Sequence, residues 1–304
     1  MWMRIAVVLA SLLGLVASAA CGARTELDVP PPVVIPPIDA SVGPGLSDCP
    51  DAGATLVYVV TQSSTLYSFD PPTATFKTLG GLACPTPNPE WQPFSMAVNR
   101  KGTAYVLFSN YDESGVGQLY QVDPATSACT ALPYVGGQLG FNTFGMGFVG
   151  DGDHTTDTLY IADDTSGAAG VPQLATLDLS TFHVSLVGNL SPGTIQNAEL
   201  SGSGDGRLFA FYAINQGTSS AVGQLDPATG ALIANDDLVS LPQVVNDGGG
   251  WAFGYWGGEF YLFTTSPTLG SLVTRFNPSD KTQTLIATLP EIVVGAGVST
   301  CAPQ

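Results

Sequence analysis

The sequence predicts an all-β fold, a five-bladed β-propeller with four-stranded antiparallel blades whose ring is closed by the C-terminal strand. Three observations predict it. A turn motif recurs five times at near-constant spacing, four strand-like segments fill each repeat, and the one segment missing from the first repeat is found at the C-terminal end. A period of about 50 residues with strand-like flanks is what successive propeller blades produce.

The turn motif reads Asp70-Pro71-Pro72-Thr73, Asp123-Pro124-Ala125-Thr126, Asp178-Leu179-Ser180-Thr181, Asp226-Pro227-Ala228-Thr229 and Asn277-Pro278-Ser279-Asp280, at intervals of 53, 55, 48 and 51 residues. An Asp or Asn at the first position bonds the backbone two residues on, and Pro presets φ at the next. Apolar residues precede each copy, such as Leu66 and Phe69 or Val273 and Phe276, and a short apolar run such as 76–79 follows. The local reading is strand, tight turn, strand.

An aromatic-anchored strand precedes the motif strand in every repeat. These strands cover 56–61, 104–108, 159–162, 208–212 and 260–264, with Tyr58, Tyr105, Tyr160, Phe209 and Tyr261 as anchors. A fourth strand lies before them at 94–98, 144–148, 196–200 and 250–254, and polar or Gly-rich turns such as 99–102 and 202–206 separate the two. Four antiparallel neighbours make a blade. The first repeat starts directly at Leu56 with its second strand, while 293–300 has the inner-strand pattern and nothing strand-like after it. The C-terminus therefore supplies the inner strand of the N-terminal blade and leaves no open edge.

Inner strands alternate bulky positions (Met96, Val98, Met146, Phe148, Trp251, Phe253) with small ones (Ser95, Ala97, Gly145, Gly147, Gly250, Ala252, Gly295, Gly297). Five blades crowd the axis, and small residues permit that approach. The third blade departs from the rule, with Asn197 and Glu199 at the small positions, which marks a polar feature near the axis.

The N-terminal 20 residues read as a secretory leader: Arg4, an apolar run over 5–16, then Ser18-Ala19-Ala20 before Cys21. The run is too short for a spanning helix. Small residues against a Cys resemble a bacterial lipobox, in which Cys21 becomes the lipidated first residue. Ser18 stands where an aliphatic residue is usual, and a plain signal peptide cut near the same point is the alternative. Gly22 carries no acidic inner-membrane retention signal, so the resemblance implies an outer-membrane anchor. Residues 21–50, with Pro30-Pro31-Pro32, Pro36-Pro37, Pro44 and Pro50, read as an extended tether, and 51–304 as the propeller.

Only 8 Lys and Arg stand against 25 Asp and Glu, a formal net charge of −17. Nucleic-acid binding needs clustered Lys and Arg and is excluded as a main function. The acidic balance itself favours solubility. Of five cysteines, Cys21 is assigned to lipid, which leaves an even four in an exported chain and predicts two disulfides. Three pairings exist. Topology favours Cys49–Cys301, because both fall in the inner hairpin turn of the composite blade, and Cys84–Cys129 follows by elimination. No Cys-x-x-Cys is present to support a redox or zinc role.

Catalytic signatures are sparse. The two histidines, His154 and His183, lie on different elements, and no G-x-S-x-G elbow, P-loop or dinucleotide fingerprint occurs. Asp151, Asp153 and Asp157 put three carboxylates into one turn and offer oxygen ligands for Ca²⁺, although the spacing is not that of an EF-hand and a solvated hairpin has the same composition. Asn197 and Glu199 are the second candidate set, with Asn142, Asn246 and Asp247 in loops that lead into inner strands. Trp91 and Phe141 precede inner strands on the face where blade-to-blade connections enter; they suit either sugar or peptide binding or packing between blades.

The pattern apolar-x-x-Asp-Pro-x-Thr after an aromatic strand, seen in Leu119-Tyr120-Gln121-Val122-Asp123-Pro124-Ala125-Thr126 and again in Leu225-Asp226-Pro227-Ala228-Thr229-Gly230, resembles exported bacterial propellers of the quinoprotein-like and NHL-like kind. Cys21-Gly22-Ala23-Arg24-Thr25-Glu26-Leu27 looks like the start of lipoproteins from predatory soil bacteria. Glu199 and Asn197 are similar in composition to the axial ion site of gluconolactonase-like propeller hydrolases, whose blade count differs. The tryptophans that dock a quinone have no counterpart, so no quinone is expected. These resemblances imply a lipid-anchored cell-envelope binding or scaffold protein that takes a protein or carbohydrate ligand on its propeller face and meets the membrane only through its anchor. No cofactor is expected, with Ca²⁺ the one left open. The alternative is a metal-dependent hydrolase or lyase with an ion at the axis.

Overall fold

The computed structural model describes residue 49 and residues 55–110, 115–151, 155–163, 171–192, 195–214, 219–238 and 249–304. Twenty strands form five four-stranded antiparallel sheets arranged as a ring, a five-bladed β-propeller. Blade 1 is composite: β20 (Val293–Val298) is innermost, followed by β1 (Val57–Thr61), β2 (Thr65–Asp70) and β3 (Thr75–Gly81). Blade 2 holds β4 (Gln92–Val98), β5 (Ala104–Ser109), β6 (Gln118–Asp123) and β7 (Ala128–Ala131). Blade 3 holds β8 (Phe144–Gly150), β9 (Asp157–Asp163), β10 (Gln173–Asp178) and β11 (His183–Asn189). Blade 4 runs β12 (Gln196–Gly202), β13 (Leu208–Ile214), β14 (Ser219–Leu225), β15 (Leu232–Leu238), and blade 5 runs β16 (Trp251–Trp256), β17 (Glu259–Ser266), β18 (Gly270–Asn277), β19 (Thr282–Leu289). Among the described residues the helical content is a single 3₁₀ turn, Gln138–Gly140, and no helix is long and apolar enough to cross a membrane.

The ring closes where the two ends of the propeller meet. Val57 pairs with Val298, Tyr58 with Gly297 and Val59 with Ala296, so the C-terminal strand completes the first blade. The strand 196–200 therefore belongs to the fourth blade rather than the third, because the composite blade counts as the first. Inner strands β8 and β20, and second strand β5, are buried at every position. Each sheet is covered on both faces by its neighbours, which is why these strands read as unbroken apolar runs rather than alternating ones. Side chains from adjacent blades meet in five clusters; in one of them Phe69 of blade 1 lies 5.8 Å from both Tyr261 and Phe263 of blade 5.

The turn motif proves to be one residue longer than its sequence signature. The residue after the fourth position is left-handed in all five copies: Ala74 (φ 51), Ser127 (φ 56), Phe182 (φ 57), Gly230 (φ 77) and Lys281 (φ 61). The first-position carboxylate holds the turn. Asp123 accepts the Ala125 N–H at 2.9 Å and the Thr126 hydroxyl at 2.8 Å, and Asp226 repeats both distances with Ala228 and Thr229. Asn277 keeps the backbone bond, to Ser279 N at 2.9 Å, without the charge.

Each turn also seals a seam between blades, because the chain leaving one outer strand passes the turn region of the next blade. Blades 1 and 2 are joined there by Cys84–Cys129, with Cα atoms 5.0 Å apart. Between blades 2 and 3 the Gln138 amide donates to Phe182 O (2.9 Å) and accepts from Val184 N (3.1 Å). Between blades 3 and 4, a Cβ on Gly188 would stand 2.3 Å from Thr229 O, and Leu232 N donates to Ser191 O at 2.8 Å. Blades 4 and 5 share the ion pair Lys281–Asp236 at 2.7 Å. Blades 5 and 1 meet through apolar contact of Leu289, Ile286 and Ala287 with Ala74 and Phe76.

Candidate functional site

Inner strands run from a top face, where blade-to-blade connections arrive, to a bottom face, where the chain turns back into the second strand. Between them the inner strands pack closely about the axis. The space bounded by Ala97, Met146, Gly147, Ser201 and Gly297 is too narrow for a water molecule. A Cβ on Gly145 would stand 2.0 Å from Ala198 O, so the inner strands of blades 3 and 4 meet backbone to backbone. Among the described residues the space between these inner strands admits no water.

Glu199 lies near the top of this axis and is 6% exposed. Its Oε2 accepts the hydroxyl of fully buried Ser95 at 2.8 Å, and the same hydroxyl accepts Met146 N at 3.2 Å. One serine thus ties the inner strands of blades 2, 3 and 4. Asn197 does not share the simple alternation expected of it. Gln196 pairs with Ala213 and Glu199 with Phe211, so β12 carries an extra residue, and Asn197 sits in this bulge with φ 50. A bulge re-aims the side chains that follow it. Ser95 was visible in the sequence only as a small inner-strand residue; that it was the polar one among glycines and alanines was its signal.

The aromatic candidates divide. Phe141 and Phe144 are fully buried, and Phe144 packs edge-on to Tyr134 with centroids 6.0 Å apart. Phe141 is therefore interblade core and not a presented ligand surface, since its ring is covered by the cluster shared by blades 2 and 3. Trp91 is half-buried against the cluster that contains Cys84 and Cys129. Asn142 is half-buried, and its carbonyl accepts Gly117 N at 2.7 Å. Asn246 and Asp247 lie outside the described residues, as do Asp153, His154, Cys21 and the Pro-rich segment.

A second carboxylate on the top face gave no sequence signal. Glu291, in the loop before β20, accepts the hydroxyls of Thr61 (2.7 Å), Ser63 and Tyr67, all from blade 1. Partial burial alone would raise its pKa, but the hydroxyls of Ser63, Tyr67 and Thr61 outweigh it and hold the carboxyl below the usual range. It is flanked by Pro290 and Ile292, an ordinary turn-to-strand junction, so nothing in the one-dimensional pattern pointed to four groups meeting there.

The bottom face is closed by the C-terminal segment. Cys301 is bonded to Cys49, Gly257 N donates to Pro303 O at 2.8 Å, and Gly204 N donates to Gln304 Oε1 at 3.0 Å. Asp157 is central here. It accepts Arg100 N at 2.6 Å and Thr300 Oγ at 2.8 Å and forms an ion pair with Arg100 at 3.4 Å, with both side chains less than a tenth exposed. Burial pushes the Asp157 carboxyl up, against the stabilising pull of Thr300 and Arg100. Asp151 lies at the other end of the same hairpin and takes the Thr158 hydroxyl at 2.9 Å. The two described members of the Asp151–Asp153–Asp157 set are thus already hydrogen-bonded within the protein. Among the described residues no three His, Cys, Asp or Glu side chains come together as ligands for an ion.

No protein-family model matches the chain, and no curated protein matches it in sequence. Solved structures do match in shape. The PQQ-bound aldose sugar dehydrogenase of Streptomyces coelicolor superposes with a TM-score of 0.43 at 14% identity, covering 78% of this chain and 78% of its own. A protein of unknown function from Dyadobacter fermentans gives 0.44 at 13% identity, covering 77% and 73%. Regucalcin, a calcium-binding protein of Agrobacterium tumefaciens, gives 0.44 at 15%, covering 69% and 64%. At these values the likeness carries no argument about ligand or activity. The two disulfides are what an oxidising, extracytoplasmic compartment allows.

Proposed function

We propose that this chain is an extracytoplasmic binding propeller, held at the cell envelope by a lipid on Cys21, that takes a protein or carbohydrate ligand on its top face and performs no chemistry on it. The observation that carries this reading is the closure of the rest of the ring. The axis is packed, the bottom is covered by residues 299–304, and the top keeps carboxylate, hydroxyl and indole groups near its surface in Glu291, Ser63 and Trp91. Hydroxyls, carboxylates and indoles are the usual means of binding sugars and polar peptides in water. The alternative, a hydrolase with an axial ion, draws on Glu199, whose Oε2 is bonded to Ser95.

Screening the full-length protein against glycan and peptide arrays tests the reading. A ligand whose affinity falls in Trp91→Ala and is unchanged in Trp256→Ala, on the bottom face, supports it. One equivalent of a divalent ion by elemental mass spectrometry, lost together with a hydrolytic activity in Glu199→Gln, would replace it with the enzyme. Incorporation of labelled fatty acid that disappears in Cys21→Ser tests the anchor separately.

A further inference from the structure

The disulfide Cys49–Cys301 lies at the bottom face, with Cys49 exposed and Cys301 half-buried. Its two sulfurs stand in opposite electrostatic surroundings. The Arg100 guanidinium donates to Cys49 Sγ at 3.9 Å. Arg100 is 8% exposed, so it meets the bond from the protein side and not from solvent. Cys301 instead follows Thr300, whose hydroxyl is bonded to the Asp157 carboxylate at 2.8 Å. Of the two sulfurs, only that of Cys49 accepts a hydrogen bond from a cation among the described residues. The other disulfide differs: Cys84 and Cys129 are both half-buried against the apolar cluster shared by blades 1 and 2.

Thiol–disulfide exchange passes through three sulfurs in line, with negative charge on the attacking and the departing one. The sulfur that leaves more readily is the one whose thiolate is better stabilised. Arg100 offers that stabilisation to Cys49, while the carboxylate of Asp157, tied to Thr300, opposes a thiolate at Cys301. Asp157 also pairs with Arg100 through Nη1 at 3.4 Å, but Nη2 is the atom that faces the sulfur. The preferred route is attack on Cys301 with Cys49 as leaving group. The fold tolerates the opened bond. The ladder from Val57–Val298 to Thr61–Val293 holds β20 to β1, and Gly257 N–Pro303 O and Gly204 N–Gln304 Oε1 keep the C-terminal segment in place.

We propose that Cys49–Cys301 is a thiol-exchange site, at which the thiolate of a partner becomes joined to Cys301 and Cys49 leaves as a thiolate held by Arg100. The protein's S–S bond breaks as the S–S bond to the partner forms, so this step is electron-neutral. A partner dithiol completes a reduction. Its second thiolate attacks the partner sulfur of the mixed disulfide, Cys301 departs and takes a proton from water, and the partner leaves oxidised by two electrons. Exchange releases residue 49 from residue 301 while the ring stays shut. No Cys-x-x-Cys marks the site, because the activating arginine is 51 positions from the cysteine it serves. The site lies on the bottom face and does not depend on the top-face ligand.

The test exposes the folded, full-length protein to reduced glutathione, quenches in acid and maps the products by peptide mass spectrometry. Glutathione is expected on Cys301 with Cys49 free, and Cys49–Cys301 should open about tenfold faster than Cys84–Cys129. Arg100→Met/Asp157→Asn removes both charges without leaving either buried alone. It should slow exchange at Cys49–Cys301 about fivefold and erase the preference for Cys301. The rate at Cys84–Cys129 should not change, which controls for unfolding. Arg100→Lys keeps a cation beside the sulfur and should keep the preference. With dithiothreitol in place of glutathione, Cys49 and Cys301 should both become free thiols while the cooperative melt persists. Glutathione on Cys49, equal rates at the two bonds, or an unchanged rate in Arg100→Met/Asp157→Asn overturns the proposal. So does loss of the cooperative melt when Cys49–Cys301 alone is reduced.

Discussion

The two disulfides close loops of very different length, and that difference gives a prediction with a number. Cys49–Cys301 spans 252 residues and Cys84–Cys129 spans 45. A cross-link stabilises chiefly by restricting the unfolded chain, with an entropy that grows as the logarithm of the loop. On that account the long bond contributes about 5.5 kcal/mol and the short one about 4 kcal/mol, a difference of about 1.5 kcal/mol. The perturbations are the paired replacements Cys49→Ser/Cys301→Ser and Cys84→Ser/Cys129→Ser. The assay is equilibrium urea unfolding of each oxidised variant beside the parent, with the midpoint and slope fitted separately. The first variant is expected to lose more stability than the second by about 1–2 kcal/mol. A loss of less than about 1 kcal/mol in the first, or an equal or larger loss in the second, refutes the view that closure of the ring's ends is the main work of the long bond.

Other predictions follow from named contacts. Asp157→Asn leaves the Arg100 guanidinium buried without its counter-charge and should cost about 3 kcal/mol by denaturation, with part recovered in Arg100→Met/Asp157→Asn. Gly145→Ala forces a Cβ to within 2.0 Å of Ala198 O at the axis and should cost about 3 kcal/mol or prevent folding, seen as loss of the cooperative thermal transition. Glu291→Gln should lower stability by about 1 kcal/mol at neutral pH. Because the folded Glu291 carboxyl titrates below its unfolded value, its contribution is full above the unfolded pKa and fades as pH falls through the folded one, so parent and variant melts should converge in acid. Ser127→Gly relieves a left-handed non-Gly residue and removes a buried hydroxyl without a partner; a gain of about 0.5–1 kcal/mol in urea unfolding is expected.

The blades were legible because their information is local and repeated. The Asp-Pro-x-Thr turn fixes two strands at once, the aromatic anchors Tyr58 and Tyr105 mark the second strand, and the stranded segment at 293–300 requires closure. What was not legible needs two or three distant positions at once. Ser95 and Glu199 are 104 residues apart, and Thr61 and Glu291 are 230 apart. Neither pair leaves a local signature, since a serine in a strand and a glutamate in a turn are each ordinary. The fifth, left-handed position of the turn was hidden for a related reason. Four different side chains occupy it, and only Gly230 announces the conformation by its residue type. The bulge at Asn197 broke the alternation on which the axial reading relied.

The five seams differ in kind: a covalent bond, a side-chain amide, a backbone contact that excludes any Cβ, an ion pair, and an apolar patch. Tandem repeats are prone to assemble out of order, because every unit presents nearly the same edge to every other. Here a blade placed beside the wrong neighbour would set Lys281 against no carboxylate, or Gly188 against a turn of the wrong shape. The junctions work as a key code for order around the circle: similarity within the blades makes the architecture, and dissimilarity between them makes the sequence of blades unique.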